Sequence, residues 1–88
     1  MFRIWAKLFT DNHMIRDLTV EDGSSDTRTH KVMRALEQAC YEFDLDKPIW
    51  LEKNIQEFRR MAKTRFYADN FIGSEGFDYL ELQVIEED

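Results

Sequence analysis

The apolar positions follow a two-residue period at both ends of the chain and a helical period between them. In residues 2–9, four apolar side chains share one face: Phe2, Ile4, Ala6 and Leu8. The opposite face carries Arg3, Trp5, Lys7 and Phe9. A period of two over eight residues predicts a β-strand.

Residues 14–21 predict a second strand, in which Met14, Leu18 and Val20 share a face. Arg16 interrupts that face, so we expect this strand at an edge of its sheet. The intervening residues 10–13 contain Asp and Asn, which tolerate the left-handed backbone angles of tight turns. The two strands are therefore predicted to form a hairpin.

Residues 25–43 have the clearest helical period of the chain. The apolar stripe consists of Val32, Leu36, Ala39 and Phe43. Thr29 and Cys40 lie beside it. The opposite row is expected to face water and consists of His30, Arg34, Glu37 and Tyr41. The helix is expected to begin at the side-chain acceptors Ser24, Ser25 and Asp26, and to end before Pro48.

A second helix is predicted over about 49–61 from the spacing of Leu51, Ile55, Phe58 and Ala62. Alternatively, Ile49 and Trp50 form an extended anchor packed under that helix. Residues 63–67 predict a short strand and residues 68–76 a loop rich in Gly, Asn and Ser. Residues 77–85 predict the last strand, with Leu80, Leu82 and Val84 on one face.

The predicted order is β-β-α-α-β-β in a single domain, residues 1–88. The economical arrangement is an α+β fold: one four-stranded, mostly antiparallel sheet with both helices on one face. The first and last strands are the most apolar, so we expect them to be neighbours in the centre of the sheet.

The composition favours a small protein of the cytoplasm. An apolar fraction of 43% is typical of a folded domain. The single cysteine, Cys40, excludes an internal disulfide, and no apolar run approaches the length of a transmembrane helix. The first residues make a poor signal peptide because Lys7 follows the apolar residues and no small-residue cleavage site is present.

The acidic charge is concentrated at the C-terminal end. Residues 69–88 contain seven acids and no Lys or Arg, while residues 1–68 contain 11 acids and 12 bases. The net charge of −6 therefore arises in the last quarter of the chain. This distribution disfavours non-specific binding of nucleic acids or anionic membranes by the whole surface.

Five segments spread along the chain resemble a family of short hypothetical proteins of anaerobic Gram-positive bacteria. They are Arg3-Ile4-Trp5-Ala6-Lys7, Ser25-Asp26-Thr27-Arg28-Thr29-His30-Lys31, Cys40-Tyr41-Glu42-Phe43-Asp44-Leu45, Lys47-Pro48-Ile49-Trp50-Leu51, and residues 79–88. The family has no known activity, so the resemblance implies no catalytic residue. It implies a full-length, free-standing bacterial protein.

No metal, cofactor or catalytic site is predicted. His13, His30 and Cys40 lack metal-ligand spacing, and no paired His or CxxC motif is present. Cys40 is interpreted as a buried core residue, because a reactive thiolate needs a cation or a helix N-terminus and the neighbours here are Glu42 and Asp44. The 18 acids make chance carboxylate pairs unavoidable, so none is assigned to catalysis.

Two surfaces remain as candidate binding sites. The first is the face of the sheet away from the helices, where aromatic and charged residues occur together: Trp5, Lys7, Phe9, Phe77, Tyr79 and Glu81. These residues predict a protein interface, although simple cross-strand pairing of Trp5 with Tyr79 and of Lys7 with Glu81 explains them equally well.

The second surface is the basic stretch 53–67, whose candidate residues are Arg59, Arg60, Lys63, Arg65 and Tyr67. Bases next to aromatics can follow a nucleic-acid backbone and stack on its bases. The simpler interpretation is a solvated helix end in which the cations complement the negative end of the helix dipole. A third interpretation is that the basic stretch contacts the acidic C-terminal strand of a second copy.

We therefore expect a small, non-enzymatic protein that binds proteins, chiefly itself as a homodimer. The alternative is a nucleic-acid-associated regulator that uses residues 53–67. An enzyme without a recognisable motif is a third hypothesis, which no residue pattern supports. No membrane, small-molecule substrate or cofactor is predicted as a partner.

Overall fold

Strands and helices alternate in pairs in the computed structural model, which describes residues 1–73 and 76–87. The elements are β1 (Phe2–Thr10), β2 (His13–Asp22), α1 (Arg28–Phe43), α2 (Glu52–Met61), β3 (Lys63–Tyr67), a short 3-10 helix (Ala68–Asn70) and β4 (Tyr79–Glu86). No helix in this described part of the chain is long and apolar enough to cross a membrane.

The four strands form one antiparallel sheet in the order β2-β1-β4-β3. The chain is therefore an α+β protein, and the predicted central pairing of the first and last strands is confirmed. Leu8 pairs with Leu80 and Ala6 with Leu82 across these two strands. The short strand predicted at 63–67 has the expected bounds and pairs with β4.

A β-bulge changes the side-chain pattern of β2. Leu8 pairs with Arg16 and Phe9 with Met14, so Ile15 is the extra residue. Met14 consequently shares a face with Phe9, and the prediction that it shares one with Leu18 and Val20 is wrong. The edge position that Arg16 suggested is confirmed, because β2 is the outermost strand.

The core contains the inward side chains of the strands together with the buried side chains of both helices. Ile4, Leu80 and Leu82 have no exposed surface. The predicted stripe of α1 is buried, and the helix also buries Lys31 and Ala35. Removing this apolar surface from water supplies the main driving force for folding.

The N-terminus of α1 differs from the prediction. The helix begins at Arg28, and Thr27 is the N-cap, whose hydroxyl accepts a hydrogen bond from the His30 N–H at 3.3 Å. Asp26 instead accepts from the side chains of Arg34, at 2.7 Å, and His30, at 2.9 Å. The helix ends as predicted before Pro48, with Asp44 in a left-handed conformation at φ 57°.

The second helix begins at Glu52, three residues later than predicted. The alternative prediction, that Trp50 forms an anchor packed under α2, is confirmed. Its ring lies edge-on to Phe58 and Phe66, with centroids 5.7 and 5.0 Å away. Ile49 does not take part in this anchor, because it remains 47% exposed.

Two fully buried asparagines, Asn54 and Asn70, connect the segment before α2 with β3 and the short helix after it. Asn54 donates to the Thr64 hydroxyl and the Arg65 carbonyl, both at 2.9 Å, and accepts from the Leu51 N–H and the Asn70 amide. Its amide has all four hydrogen-bond sites occupied. We call this pair and its partners the asparagine node.

Asn70 completes the node from the 3-10 helix. Its amide donates to the Ile49 carbonyl at 2.8 Å, and its side-chain oxygen accepts from the Tyr67 N–H at 3.0 Å. The sequence had indicated only a loop over 68–76. Ser74 and Glu75 of that predicted loop lie outside the described residues.

Candidate interaction surface

The strands turn a second set of side chains away from the core, and we call this set the outer face. Successive residues of a strand point to opposite sides and cross-strand partners share a side, so the register identifies its members. They are Met14, Asp17, Thr19 and Glu21 on β2, Arg3, Trp5, Lys7 and Phe9 on β1, Tyr79, Glu81 and Gln83 on β4, and Lys63, Arg65 and Tyr67 on β3.

One row of the outer face carries a charge on every strand. Asp17 pairs with Lys7, Lys7 with Glu81, and Glu81 with Arg65. The row therefore crosses all four strands with alternating sign. We call these four residues the charged row.

Glu81 is the centre of this row and is only 4% exposed. Its carboxylate lies 3.5 Å from the Lys7 ammonium, 3.7 Å from that of Lys63 and 3.9 Å from the Arg65 Nε. Three cations around one carboxylate leave a local excess of positive charge at this edge of an otherwise acidic chain.

Lys7 is nearly as buried, at 8% exposure. Its ammonium donates to the Gln83 side chain at 2.9 Å and lies 4.0 Å from the ring centroid of Trp5. The Trp5 indole in turn donates to Asp17 at 2.9 Å. Burying an ion pair costs desolvation free energy, which these additional contacts offset.

A row of aromatic rings adjoins the charged row. Phe9 stacks on Tyr79 with centroids 4.8 Å apart, and Tyr79 lies 5.4 Å from Tyr67. Two cations lie over these rings: Arg65 is 4.6 Å from Tyr79, and Lys53 is 5.3 Å from Tyr67. A hydrogen bond with the Tyr67 side chain raises the pKa of Arg65, so its charge is retained at any pH of interest.

The structure brings the two predicted surfaces together. Trp5, Lys7, Phe9, Tyr79 and Glu81 of the predicted protein interface all lie on the outer face. Lys63, Arg65 and Tyr67 of the predicted nucleic-acid patch lie on the same face, because β3 pairs directly with β4.

Three candidate residues lie elsewhere. Phe77 precedes β4 and packs edge-on against Phe71, beside the core, at a centroid distance of 5.0 Å. Arg59 lines a groove of about 310 Å³ between the helices, together with Arg28 and Trp50. Arg60 is exposed in the last turn of α2.

Sequence reasoning missed Asp17, which completes the charged row. Only the hairpin register assigns it to the same level as Lys7, and the bulge after Leu8 obscures that register in the sequence. Counting residue pairs outward from the turn identifies Asp17 as the partner of Lys7 only if the position of the bulge is already known.

Cys40 lies in the core at 2% exposure. Burial raises the pKa of its thiol to about 11, with Asp46 adding to the rise and Lys47 opposing it. The interpretation of Cys40 as a buried core residue is confirmed, and burial, rather than Glu42 or Asp44, is the main cause of the pKa shift. Within residues 1–73 and 76–87, no three His, Cys, Asp or Glu side chains form a group that could hold a metal ion.

The chain matches no protein-family model, no curated protein and no solved structure at a significant level. The resemblance to short bacterial proteins therefore stays a prediction, and functional conclusions rest on the outer face itself.

Proposed function

We propose that this protein has a non-catalytic role in which two copies associate through the outer face, with both helices on the opposite side of the sheet. The observation that supports this best is the composition of the outer face. Aromatic rings, which are enriched at protein interfaces, lie there beside charges that are nearly buried.

The test is the molar mass in solution, measured by sedimentation equilibrium from micromolar to millimolar concentration. The proposal predicts a monomer–dimer equilibrium for the 10.6 kDa chain. Tyr67→Ala should weaken the dimer about tenfold, as removing an interface aromatic commonly does. Tyr41→Ala is the matched control, since Tyr41 is an exposed tyrosine on α1. A monomer over the whole range would refute self-association.

Single-stranded nucleic acid is a second candidate partner, and the aromatic row favours it. Three neighbouring rings flanked by Arg65 and Lys53 resemble the stacking surfaces with which sheet proteins bind single-stranded RNA. The carboxylate of Glu81 in the adjoining row opposes this function, because it offsets part of the positive charge that would attract phosphate.

Fluorescence anisotropy with a labelled single-stranded RNA at low salt tests the second candidate. If the outer face binds RNA, Arg65→Ala should weaken binding and Arg59→Ala, on the helix groove, should leave it unchanged. Binding that is absent at low salt, or equally sensitive to both variants, would argue against an RNA-binding outer face.

A further inference from the structure

The charged row is complementary to its own reversed copy. Across the sheet the signs run negative, positive, negative, positive, at Asp17, Lys7, Glu81 and Arg65. Reversing this order gives the opposite sign at every position. A surface with this property can pair with itself without bringing like charges together.

We propose that two copies stack outer face to outer face about a two-fold axis parallel to the strands and located between β1 and β4. This geometry rests on the self-association proposed above. The rotation about that axis places β2 of one copy over β3 of the other, and β1 over β4. Asp17 then faces Arg65 of the second copy, and Lys7 faces Glu81 of the second copy.

The other two-fold arrangement of stacked faces has its axis perpendicular to the strands. That axis places every strand over its own counterpart, so that, with the axis through the charged row, each charge meets an identical charge. Like charges facing each other across an interface are destabilising, so the perpendicular axis through the charged row is disfavoured. The charged row therefore favours the axis parallel to the strands.

The neighbouring rows agree with the parallel axis. The aromatic row continues onto β2 through Met14, which pairs with Phe9. Under the proposed rotation Phe9 lies over Tyr79 of the second copy, and Met14 lies over Tyr67 of the second copy. Aromatic–aromatic and sulfur–aromatic contacts between the copies are both favourable.

The size of the face indicates a modest affinity. Four strands about 4.8 Å apart, averaging eight residues at about 3.3 Å each, present roughly 500 Å² per copy. The pair buries about 1,000 Å², which is at the small end of specific interfaces. We therefore expect a weak dimer whose population depends on concentration.

A double-mutant cycle on the dissociation constant tests the orientation, using Asp17→Ala, Arg65→Ala and the combined variant. The two residues lie on opposite edge strands, about 14 Å apart within one chain, too far to be coupled there. In the proposed dimer Asp17 of each copy faces Arg65 of the other. Either single variant therefore removes both Asp17–Arg65 contacts, and the combined variant has none left to lose. We expect all three variants to weaken the dimer by the same factor, about five- to tenfold.

Cross-linking gives an independent readout of the same geometry. Thr19→Cys on β2 and Lys63→Cys on β3 lie in one row, two residues from the charged row, and change none of its four residues, while Lys63→Cys removes one of the three cations near Glu81. A bis-maleimide with an arm of roughly 10 Å, the spacing of stacked sheets, should join a mixture of the two variants and neither variant alone. The unmodified chain, whose only thiol is the buried Cys40, is the blank.

The outcomes separate this inference from the proposal on which it rests. Equal losses in the cycle and cross-linking only in the mixture support the parallel axis. Additive losses, cross-linking of either variant with itself, or no cross-link in a chain that dimerises by mass would each overturn it while self-association stands. A monomeric wild-type chain would overturn both.

Discussion

The two faces of the sheet are built from the same strands but bury their side chains by different means. On the core face, Ile4, Leu80 and Leu82 have no exposed surface and pack against apolar neighbours. On the outer face, Lys7 and Glu81 are nearly as buried, at 8% and 4% exposure. They are covered by the long side chains beside them.

This difference shows that burial in a sheet has two distinct origins. The core face is buried because apolar surface leaves water, a gain that grows with area and does not depend on direction. The outer face is buried around an ion pair, whose net contribution depends on the geometry of every partner. The outer face can therefore pack against another polar surface, whereas the core face packs favourably only against apolar surface.

The largest expected effect tests how completely the core face is sealed. With a thiol pKa of about 11, roughly one Cys40 in a thousand is ionised at pH 8, against about one in ten for an unfolded thiol of pKa 9. Reaction with a thiol reagent should be at least about a hundredfold slower in native protein than in urea. Fast labelling of the native chain would show that this side of the core is open.

Truncation of a core side chain is expected to have the next largest effect. Leu80→Ala should lower the free energy of unfolding by about 3 kcal/mol, from lost transfer free energy and the cavity left behind. The matched control is Ile85→Ala near the end of the same strand, where the side chain is 46% exposed, with a loss below about 0.5 kcal/mol. Urea unfolding measures both, and equal losses would contradict the contrast between buried and exposed positions.

The ion pair of the outer face should behave in the opposite way to an apolar contact. Lys7→Met alone leaves Glu81 without its nearest cation and should cost about 2 kcal/mol. The combined variant Lys7→Met with Glu81→Leu should regain most of that loss, since no unpaired charge remains. If the double variant is less stable than the single one, the pair contributes net stability and the two faces are more alike than we infer.

The smallest expected effect concerns the exposed cluster at the start of α1. Hydrogen bonds from Ser24 and Arg34 lower the pKa of Asp22 to about 2, and Arg34 and His30 lower that of Asp26. Both carboxylates bind protons more readily in the unfolded chain. Their stabilisation is therefore present above about pH 4–5 and is lost as the pH falls towards 2.

Urea midpoints at pH 5 and pH 2.5 check this dependence. Arg34→Gln should lower the midpoint at pH 5 and make less difference at pH 2.5, because the unfolded chain then binds protons at both carboxylates and most of this stabilisation is lost. Arg60→Gln, at an exposed position on α2, should show no such dependence on pH. A constant deficit of the Arg34 variant at both pH values would remove the electrostatic explanation.

Much of the fold could be predicted from the sequence because it depends on local periodicity. The stripe of α1 and the alternation in β1 and β4 identify the core face directly. The N-cap Thr27 was missed, since Ser24, Ser25 and Asp26 offer equivalent caps in sequence. Arg34, within the second turn of α1, binds the Asp26 carboxylate, and Thr27 caps the helix.

The candidate site could be predicted only in pieces, because it depends on register between distant strands. Alternation alone assigns Lys7 and Glu81 to the outer face. The level at which Arg65 meets Glu81 depends on how β3 aligns with β4, and no local pattern fixes that alignment. The bulge at Ile15 conceals the level of Asp17 in the same way.

The asparagine node has a consequence for the order in which the molecule opens. Its hydrogen bonds protect the amide protons of Leu51 and Tyr67, which belong to segments sixteen residues apart. Each amide binds the oxygen of a fully buried asparagine, and the two asparagines bind each other at 2.9 Å, so we expect both bonds to break when the node opens. Hydrogen exchange should therefore occur at both amides in a single cooperative opening, making residues 49–70 one unit of local unfolding.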